Sequence, residues 1–373
     1  MFQRGESNRT IQSRLTAGGG DGISLLMKTP KCWPKCGALL LVNAFFTFAQ
    51  SPVITEYSIP TPTSVPIGIA AGPDGNVWFT ESNRYVEQVG RITPAGLVTE
   101  FHMNSNVMPQ LITSGADGNL WFTVVGPFVG KISPTGVVTV LPQLPSSPGG
   151  TLGIALGPDG NIWAIENTTS KIARITPAGV VTELPIPNGA NGLAAGPDGR
   201  LWFTETNGSS NKIGAITTTG IVTEYSQPLP NPLYITAGSD GNLWYTTLSS
   251  GVGRITPSGT VTTFSTSGAL GGITSVPGGP LWFVKTDLSL ISRITTAGVI
   301  SDFPTPTNGG PTDIALGPDG NLWFTEQYAN QIGKVTLAAS IPATPAPSSF
   351  ALLAIGLVAI VAWSLLARRF RRA

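Results

Sequence analysis

Cysteine, histidine and charge are all scarce in this 373-residue chain. Both cysteines, Cys32 and Cys36, precede an apolar run near the N-terminus, so the rest of the chain contains neither a disulfide nor a cysteine metal ligand. Charged residues make up 11% of the sequence, and the formal net charge is +1. Because no basic stripe is present to neutralise phosphates, we expect no nucleic-acid partner.

The N-terminal part has the three-part layout of a secretory leader. A basic stretch begins at Met27 and includes Lys28 and Lys31, an apolar run follows at 37–49, and small residues mark a cleavage site after Ala49. We therefore expect a signal peptide at residues 27–49. Translation from Met27 would make residues 1–26 a doubtful extension, and an unusually long leader is the alternative.

The C-terminal part predicts a membrane anchor. A Pro-rich linker at 340–349 leads into the uncharged apolar residues 350–367, which would span roughly 27 Å as a helix. The arginines within 368–373 favour a cytoplasmic tail, which places the preceding domain outside the membrane and anchored to it or to the cell surface. Alternatively, this end is a sorting signal that is removed, although it lacks the usual Pro-Glu-Pro motif of such tails.

Tryptophan marks an internal repeat. The seven members are Trp78, Trp121, Trp163, Trp202, Trp244, Trp282 and Trp323. Their spacing of about 40 residues is the length of a four-stranded propeller blade. The sequence therefore predicts an all-β fold, a seven-bladed β-propeller over residues 50–339, which we expect to be monomeric.

Two recurring turns divide each repeat into strands. Gly-Pro-Asp-Gly, as at 72–75 and 317–320, is predicted to join the first strand to the second, and Thr-Pro-Ala-Gly, as at 93–96, to join the third to the fourth. The Leu-Trp-Phe-Thr strand between them is apolar on both sides, as expected of a strand packed between neighbouring blades. The tryptophans are therefore predicted to be core residues.

The number of turns predicts how the ring closes. The turn between third and fourth strands occurs six times, and the seventh blade lacks a fourth strand. Residues 53–57, Val-Ile-Thr-Glu-Tyr, match the fourth-strand pattern at 98–101. We expect this N-terminal strand to complete the seventh blade, because closure removes exposed sheet edges.

Glutamates recur where strands end. They end the second strands at Glu81, Glu166, Glu205 and Glu326, and lie near the ends of fourth strands at Glu56, Glu100, Glu183 and Glu224. Both strand ends point to the face with the most variable connections, and carboxylates are ligands for Mg²⁺ or Ca²⁺. Glu166 with Glu183 is the predicted metal pair, and Glu81 with Glu100 and Glu205 with Glu224 are its equivalents. The alternative is a repeat feature that bonds threonine or backbone groups or stays solvated.

The repeat resembles that of the virginiamycin B lyase (streptogramin lyase) family. Residues 317–326, Gly-Pro-Asp-Gly-Asn-Leu-Trp-Phe-Thr-Glu, and residues 171–183 carry the resemblance, which extends over 53–337. It implies a seven-bladed propeller and a Mg²⁺-dependent elimination that opens type B streptogramins. It also implies metal-binding glutamates in the second and fourth strands of a blade, and a catalytic histidine two residues after the first glutamate.

The chain departs from the family pattern at histidine. The positions two residues after the second-strand glutamates are Asn83, Thr168, Asn207 and Tyr328, and those matching the family's Pro-His-Gly-Ile include Ile67, Gln110, Leu152, Asn191 and Thr312. The only histidine of the sequence is His102, which is expected in a loop after a fourth strand. His102 and Tyr328 are the remaining candidates for a catalytic base.

These observations favour a propeller that binds a small molecule or a surface protein on its variable face. The alternative is a Mg²⁺-dependent lyase that opens a cyclic depsipeptide by elimination. A third hypothesis, a lactonase-like metal hydrolase, needs an acidic cluster at the central channel, where the sequence indicates only Asn191.

Overall fold

The computed structural model describes residues 51–103, 107–146, 149–166, 168–206, 211–228, 230–248 and 251–337. These residues form 28 β-strands in seven sheets of four strands each. Neighbouring strands within each sheet pair antiparallel. The prediction of a seven-bladed propeller with four-stranded blades is therefore confirmed.

Each blade runs from its innermost first strand to its outermost fourth strand. The first strands contact one another around the centre and are β2 (Pro66–Ala71), β6 (Pro109–Ser114), β10 (Thr151–Leu156), β14 (Ala190–Ala195), β18 (Pro232–Ala237), β22 (Leu270–Ser275) and β26 (Pro311–Leu316). The second strands are β3 (Val77–Glu81), β7 (Leu120–Val124), β11 (Ile162–Glu166), β15 (Leu201–Glu205), β19 (Leu243–Thr247), β23 (Leu281–Lys285) and β27 (Leu322–Glu326).

The two outer strands complete each blade. The third strands are β4 (Gln88–Ile92), β8 (Val129–Ile132), β12 (Lys171–Ile175), β16 (Lys212–Ile216), β20 (Gly251–Ile255), β24 (Leu290–Ile294) and β28 (Gln331–Thr336). The fourth strands are β5 (Val98–His102), β9 (Val138–Val140), β13 (Val181–Pro185), β17 (Val222–Ser226), β21 (Val261–Ser265), β25 (Ile300–Pro304) and β1 (Val53–Ser58). Blades are numbered from the one that contains β2.

The core lies between neighbouring blades. Every residue of the seven second strands is buried, as expected for strands covered on both faces. Trp78 of blade 1 packs in one apolar cluster with Phe122 of blade 2. Fourth-strand aromatics cover the tryptophans in five blades, as where Tyr225 stacks on Trp202 at 5.3 Å. The predicted core role of the tryptophans is confirmed.

The Gly-Pro-Asp-Gly turns also hold the tryptophans. In blade 1, the indole Nε1–H of Trp78 donates to Asp74 at 3.0 Å, and the same contact recurs in every blade but blade 6. In blades 1, 2, 4, 5 and 7 the aspartate also pairs with a cation that lies over the indole, as Lys334 does at 2.8 Å from Asp319. These turn aspartates thus link the turn, the core and a surface cation.

The same cations join successive blades. Arg91 of blade 1 donates to the carbonyl oxygen of Pro134 in the turn of blade 2, and Lys334 of blade 7 donates to that of Pro94 in blade 1. Equivalent bonds leave blades 2, 3, 4 and 5. The cation of blade 6, Arg293, lies over the indole of Trp282. The next blade, blade 7, lacks a third-to-fourth-strand turn because its fourth strand is β1.

The ring closes through the N-terminal strand, as predicted. All six residues of β1 pair with β28, from Val53 opposite Thr336 to Ser58 opposite Gln331. At the seam, the side chain of Asn330 accepts hydrogen bonds from the backbone and hydroxyl of Ser64 and donates to the carbonyl of Thr61 at 2.9 Å. One blade-7 side chain therefore fixes the loop that leads into blade 1.

Two faces follow from this topology. The turn face carries the first-to-second-strand and third-to-fourth-strand turns, and the variable face carries the other loops. Since Val53 pairs with Thr336, the propeller begins and ends on the turn face. No helix in the described ranges is long and apolar enough to cross a membrane. The predicted signal peptide at 27–49 and the predicted helix at 350–367 lie outside the described residues.

Candidate functional site

The strand-end glutamates lie together on the variable face, as predicted. In blade 1, Glu81 ends the second strand opposite Gln88 of the third strand, and Glu100 of the fourth strand lies opposite Gly90. Blades 3, 4 and 7 repeat the arrangement, with Ala173, Gly214 and Gly333 opposite the fourth-strand glutamate. In blades 1, 4 and 7 the third-strand glycine accommodates the ring of the second-strand phenylalanine, and a Cβ atom at Gly90 would lie 2.1 Å from Phe79.

Each second-strand glutamate is buried and lies within hydrogen-bonding reach of its fourth-strand partner. Burial, followed by the charge of Glu100, raises the pKa of Glu81 to about 8. Burial and the carboxylate of Glu224 raise the pKa of Glu205 to about 7, and burial and Glu56 raise that of Glu326 to about 7. Two carboxylates in contact favour a proton or another cation between them.

The fourth-strand glutamates hold the loops that lead into their blades. The backbone N–H of Thr61 donates to Glu100 at 2.9 Å, and that of Ser146 donates to Glu183 at 2.7 Å. The N–H of Thr307 donates to Glu56 at 3.0 Å, and the Asn188 side chain bridges Glu205 and Glu224. These contacts support the structural role that the sequence left open, since the carboxylates order the loops of the variable face.

The predicted metal pair, Glu166 with Glu183, already has a cation. The two glutamates do lie together, but the Nζ atom of Lys171 is 2.8 Å from Glu183. Hydrogen bonds from Lys171 and Ser146 outweigh burial and lower the pKa of Glu183. Because the ammonium group of Lys171 already occupies the carboxylate of Glu183, the pair fits Mg²⁺ poorly.

The equivalent pairs differ in the residue that accompanies them. In blade 4, Lys212 lies 2.7 Å from Glu224, which repeats the ion pair of blade 3. Blades 1 and 7 have Gln88 and Gln331 at this third-strand position instead. Among the described residues, no cluster of three or more histidine, cysteine, aspartate or glutamate side chains is arranged to hold a metal ion.

His102 does not lie in a loop, in contrast to the expectation. It is the last residue of β5 and pairs with Gln88, the first residue of β4, because β5 extends along the whole length of β4. The exposed imidazole lies 2.7 Å, through Nε2, from the side-chain nitrogen of Gln88. His102 is therefore on the outer edge of blade 1, away from the innermost strands.

Tyr328, the other predicted base, is on a different blade. It lies in the loop between β27 and β28 of blade 7, and 72% of its surface is exposed. A side chain at Gly310 would come within 2.2 Å of its ring, so the ring rests on the glycine backbone. No hydrogen bond ties its hydroxyl group to another described residue, which leaves Tyr328 as a surface aromatic group.

The centre of the ring contains one acidic side chain that sequence reasoning missed. Asp313 of β26 accepts a hydrogen bond from the backbone N–H of Ile69 in blade 1 at 3.2 Å, and one from Ile314 at 2.9 Å. Burial raises the pKa of Asp313 to about 7. The equivalent residues in two other first strands are Gly68 and Gly192, so the repeat pattern did not predict a carboxylate at this position. A single aspartate does not supply the acidic cluster of a lactonase-like site.

The fold and the strand-end carboxylates define a seven-bladed propeller with an acidic variable face. The model of the "Virginiamycin B lyase family" matches residues 47–191 and 188–351, and the chain belongs to that family. A search of curated protein sequences finds no match.

Solved structures agree with this assignment. The chain is similar to a streptogramin B lyase, with 31% identity over 77% of this chain and 98% of that chain and a TM-score of 0.70. It is equally similar to a catalytically inactive histidine-to-alanine variant of virginiamycin B lyase from Staphylococcus aureus with quinupristin, with 31% identity over 77% and 100% of the two chains and a TM-score of 0.71. A gluconolactonase from Xanthomonas campestris, 14% identical over 77% and 90% with a TM-score of 0.53, shows a shared fold alone.

Proposed function

We propose that this protein is a binding module, an extracytoplasmic lyase-like propeller that holds a small molecule or a surface protein on its variable face. The absence of a positioned histidine carries the proposal. The only histidine of the sequence is on the outermost strand of blade 1, where Gln88 bonds its imidazole. Apart from Tyr328, the family's histidine positions carry Asn, Thr, Ile, Gln or Leu, whose side chains cannot remove a proton at neutral pH.

The variable face suits binding. Its loops are ordered by buried carboxyl pairs, and exposed side chains such as Tyr85 and Tyr328 stand above them on adjacent blades. Rigid scaffolds that display exposed aromatic groups are typical of recognition surfaces.

The location is inferred from the two ends of the sequence. The basic and apolar pattern at 27–49 supports export, and the uncharged run at 350–367 followed by arginines supports anchoring in the membrane. Because the propeller ends on the turn face, such an anchor would leave the variable face accessible from outside the cell.

A Mg²⁺-dependent lyase is the second candidate, favoured by the similarity to a virginiamycin B lyase with quinupristin. When bound, Mg²⁺ would supply a positive charge for an oxygen atom of the substrate. The blade-1 residues Glu81 and Glu100 fit such an ion better than Glu166 and Glu183, because Lys171 neutralises the latter pair. Removal of the activated proton would fall to His102 or Tyr328.

One experiment separates the two candidates. The purified full chain in mild detergent would be incubated with quinupristin and MgCl₂, with and without EDTA, and analysed by liquid chromatography and mass spectrometry. Elimination gives an opened product of unchanged mass, and hydrolysis adds one water. We expect intact quinupristin. Chelator-sensitive opening would overturn the binding-module proposal, and loss of that opening in His102→Ala or Tyr328→Phe would identify the base.

A further inference from the structure

An exposed aliphatic side chain begins the approach to the fourth strand in six of the seven blades. In blade 1 this residue is Leu97, which directly follows the turn glycine and is 68% exposed. Val53 holds the same position in blade 7, because it precedes Ile54 on β1 as Leu97 precedes Val98 on β5. The six residues, which we call the aliphatic ring, are Val53, Leu97, Val137, Val180, Ile221 and Val299, each between 57% and 68% exposed.

The aliphatic ring contains every exposed large hydrophobic residue of the turn face in the described part of the chain. The remaining residues of this kind are Tyr85, Val125, Leu248, Leu288 and Tyr328, all in second-to-third-strand loops of the variable face. Single exposed apolar residues are normal on a protein surface and need no explanation. One residue per blade, at one position and on one face, is instead a regular pattern that indicates an interaction surface.

The turns that present the aliphatic ring are uncharged and satisfy their own backbone. No charged residue occurs in the turns at 93–97, 133–137, 176–180, 217–221, 256–260 and 295–299. The N–H of Leu97 donates to the hydroxyl of Thr93 at 3.1 Å, and its carbonyl oxygen accepts from the N–H of Thr93 at 3.0 Å. The same two bonds recur in the other five turns. These residues can therefore leave water without unpaired peptide groups.

The preceding blade holds each turn in place. A Cβ atom at Gly96 would lie 2.1 Å from Tyr57 of blade 7, and one at Gly136 would lie 2.4 Å from Phe101 of blade 1. The turn glycines of blades 3 to 6 likewise lie against a leucine or an aromatic ring of the blade before them. The aliphatic ring is therefore preorganised, and contact with a surface costs little conformational entropy.

We propose that the aliphatic ring rests on the surface of a phospholipid bilayer, where its side chains insert among the lipid headgroups. Its members stand one to a blade at the same end of the blades, which matches a flat surface. A protein partner needs a contiguous apolar core, whereas a bilayer accepts apolar side chains that stand apart on uncharged turns. The variable face then points away from the lipid, toward ligands in solution.

The end of the propeller favours the same occupant. β28 ends on the turn face, and residues 338–349 lead from it to the uncharged apolar run at 350–367. Fully extended, this linker spans at most about 40 Å. Such a short tether keeps the turn face at a high effective concentration near the bilayer, so a weak attraction for lipid is sufficient. Contact of this form depends on the membrane anchor of the proposed function.

Fluorescent labels on the full chain in phosphatidylcholine vesicles test the contact. Cys32 and Cys36 are replaced by serine, and one cysteine is introduced as Leu97→Cys, Ile221→Cys or Leu288→Cys and labelled with nitrobenzoxadiazole. Phosphatidylcholine with a spin label near the headgroup quenches a label that reaches the lipid. We expect quenching at positions 97 and 221, which are three blades apart in a ring of seven, and none at position 288 on the variable face. Quenching at position 97 alone would mean a tilted disk and would contradict the proposal.

Threonine provides a matched replacement for the ring valines. It has nearly the shape of valine, and Thr260 already occupies this position in blade 5. The triple variant Val137→Thr, Val180→Thr and Val299→Thr should keep the Tm of the wild type and reduce quenching of the turn-face labels by at least about half. Val125→Thr, the same change at an exposed valine of the variable face, should leave quenching unchanged.

Flotation of the vesicles separates this proposal from the proposed anchor. Protein that does not float with the vesicles overturns both the anchor and the lipid contact. Protein that floats while neither turn-face label is quenched overturns the lipid contact alone. Disulfide cross-linking between two copies of the unlabelled Ile221→Cys variant, without lipid quenching of its labelled form, would identify a second copy as the occupant and overturn the proposal as well.

Discussion

Buried glutamates make the stability of this propeller depend on pH. The ordinary pKa of glutamate is 4.5, whereas Glu81, Glu205 and Glu326 have pKa values of about 8, 7 and 7, respectively. The folded state therefore binds more protons than the unfolded state between about pH 4.5 and pH 8. The contribution of these three groups to stability is greatest where they are protonated, and it is lost as the pH rises through their folded pKa values.

Glu326→Gln tests this dependence. The amide mimics the protonated carboxyl group at every pH, so it should matter little at pH 5 and should raise the free energy of unfolding at pH 8 by at most about 3 kcal/mol. Denaturant unfolding at both pH values measures the difference. Glu183→Gln is the opposite control, because a lowered pKa gives stability above the unfolded pKa. It should reduce stability at pH 7, and equal effects at both pH values for Glu326→Gln would contradict the interpretation.

For individual residues, the sequence predicted which glutamates lie together but not which cation or hydrogen-bond donor accompanies each pair. Strand-end positions were enough to place Glu166 and Glu183 together. The ion pair with Lys171 depends on strand register, which sets Lys171 opposite Glu166 and directs its side chain to the same sheet face. The role of His102 was hidden for a similar reason, since the length of β5 decides whether it pairs with Gln88.

Among the elements, the first turn of blade 6 departs from the repeat. Residues 276–280 read Val-Pro-Gly-Gly-Pro, so Gly278 stands where other blades have aspartate, and the buried Nε1–H of Trp282 has no acceptor. The backbone differs too, because Gly278 has a φ of 65° whereas in blade 1 the last turn glycine, Gly75, has the positive φ of 78°. Val276 stands where blade 1 has Gly72, and a Cβ atom added at Gly72 would lie 2.4 Å from the indole of Trp78.

Restoring the whole turn should stabilise blade 6. The triple variant Val276→Gly, Gly278→Asp and Pro280→Asn supplies an acceptor for Trp282, and we expect a gain of about 1 kcal/mol and a Tm increase of a few degrees. Differential scanning calorimetry provides the measurement. Gly278→Asp alone should destabilise the protein, because Val276 occupies the space that the carboxylate needs. A triple variant no more stable than the wild type would show that the unpaired indole costs little.

The strands themselves were largely predictable, and each for a local reason. Turn chemistry located the hairpins, and the run of apolar residues identified the buried second strands. Asp313 was not predictable, because the innermost strands carry glycine or unrelated side chains at its position and only the ring brings Ile69 within reach of its carboxylate. The tail and leader lie outside the described residues and stay predictions.

For the whole molecule, closure by β1 is the decisive contact. Its six residues complete blade 7, and it also supplies Glu56 to the pair with Glu326 and Tyr57 to the stack on Trp323. Without β1, the outer edge of β28 would be exposed to solvent along its length.

Deletion of Val53–Ser58 should therefore lower the Tm by at least about 10 °C or abolish cooperative unfolding, since several hydrogen bonds and a buried aromatic contact are lost. Thermal unfolding by circular dichroism measures the effect. A synthetic peptide with the sequence of residues 53–58 should restore part of the Tm in a concentration-dependent manner. An unchanged Tm would mean that blade 7 is stable with three strands.

The pairing of Val53 with Thr336 also determines how the protein responds to mechanical force. The first and last strands of the propeller, β1 and β28, are antiparallel neighbours, and their chain termini lie side by side. Tension applied between Val53 and Thr336 therefore breaks the β1–β28 hydrogen bonds one at a time instead of loading them all in shear. The β1–β28 seam would separate at low force, and the six other blades would then unfold from a ring that is no longer closed. Tension through the C-terminal end alone pulls on β28, which β27 and β1 hold on both sides. A propeller attached through its C-terminal end alone therefore keeps the β1–β28 pairing, whereas a propeller pulled through both ends would lose it.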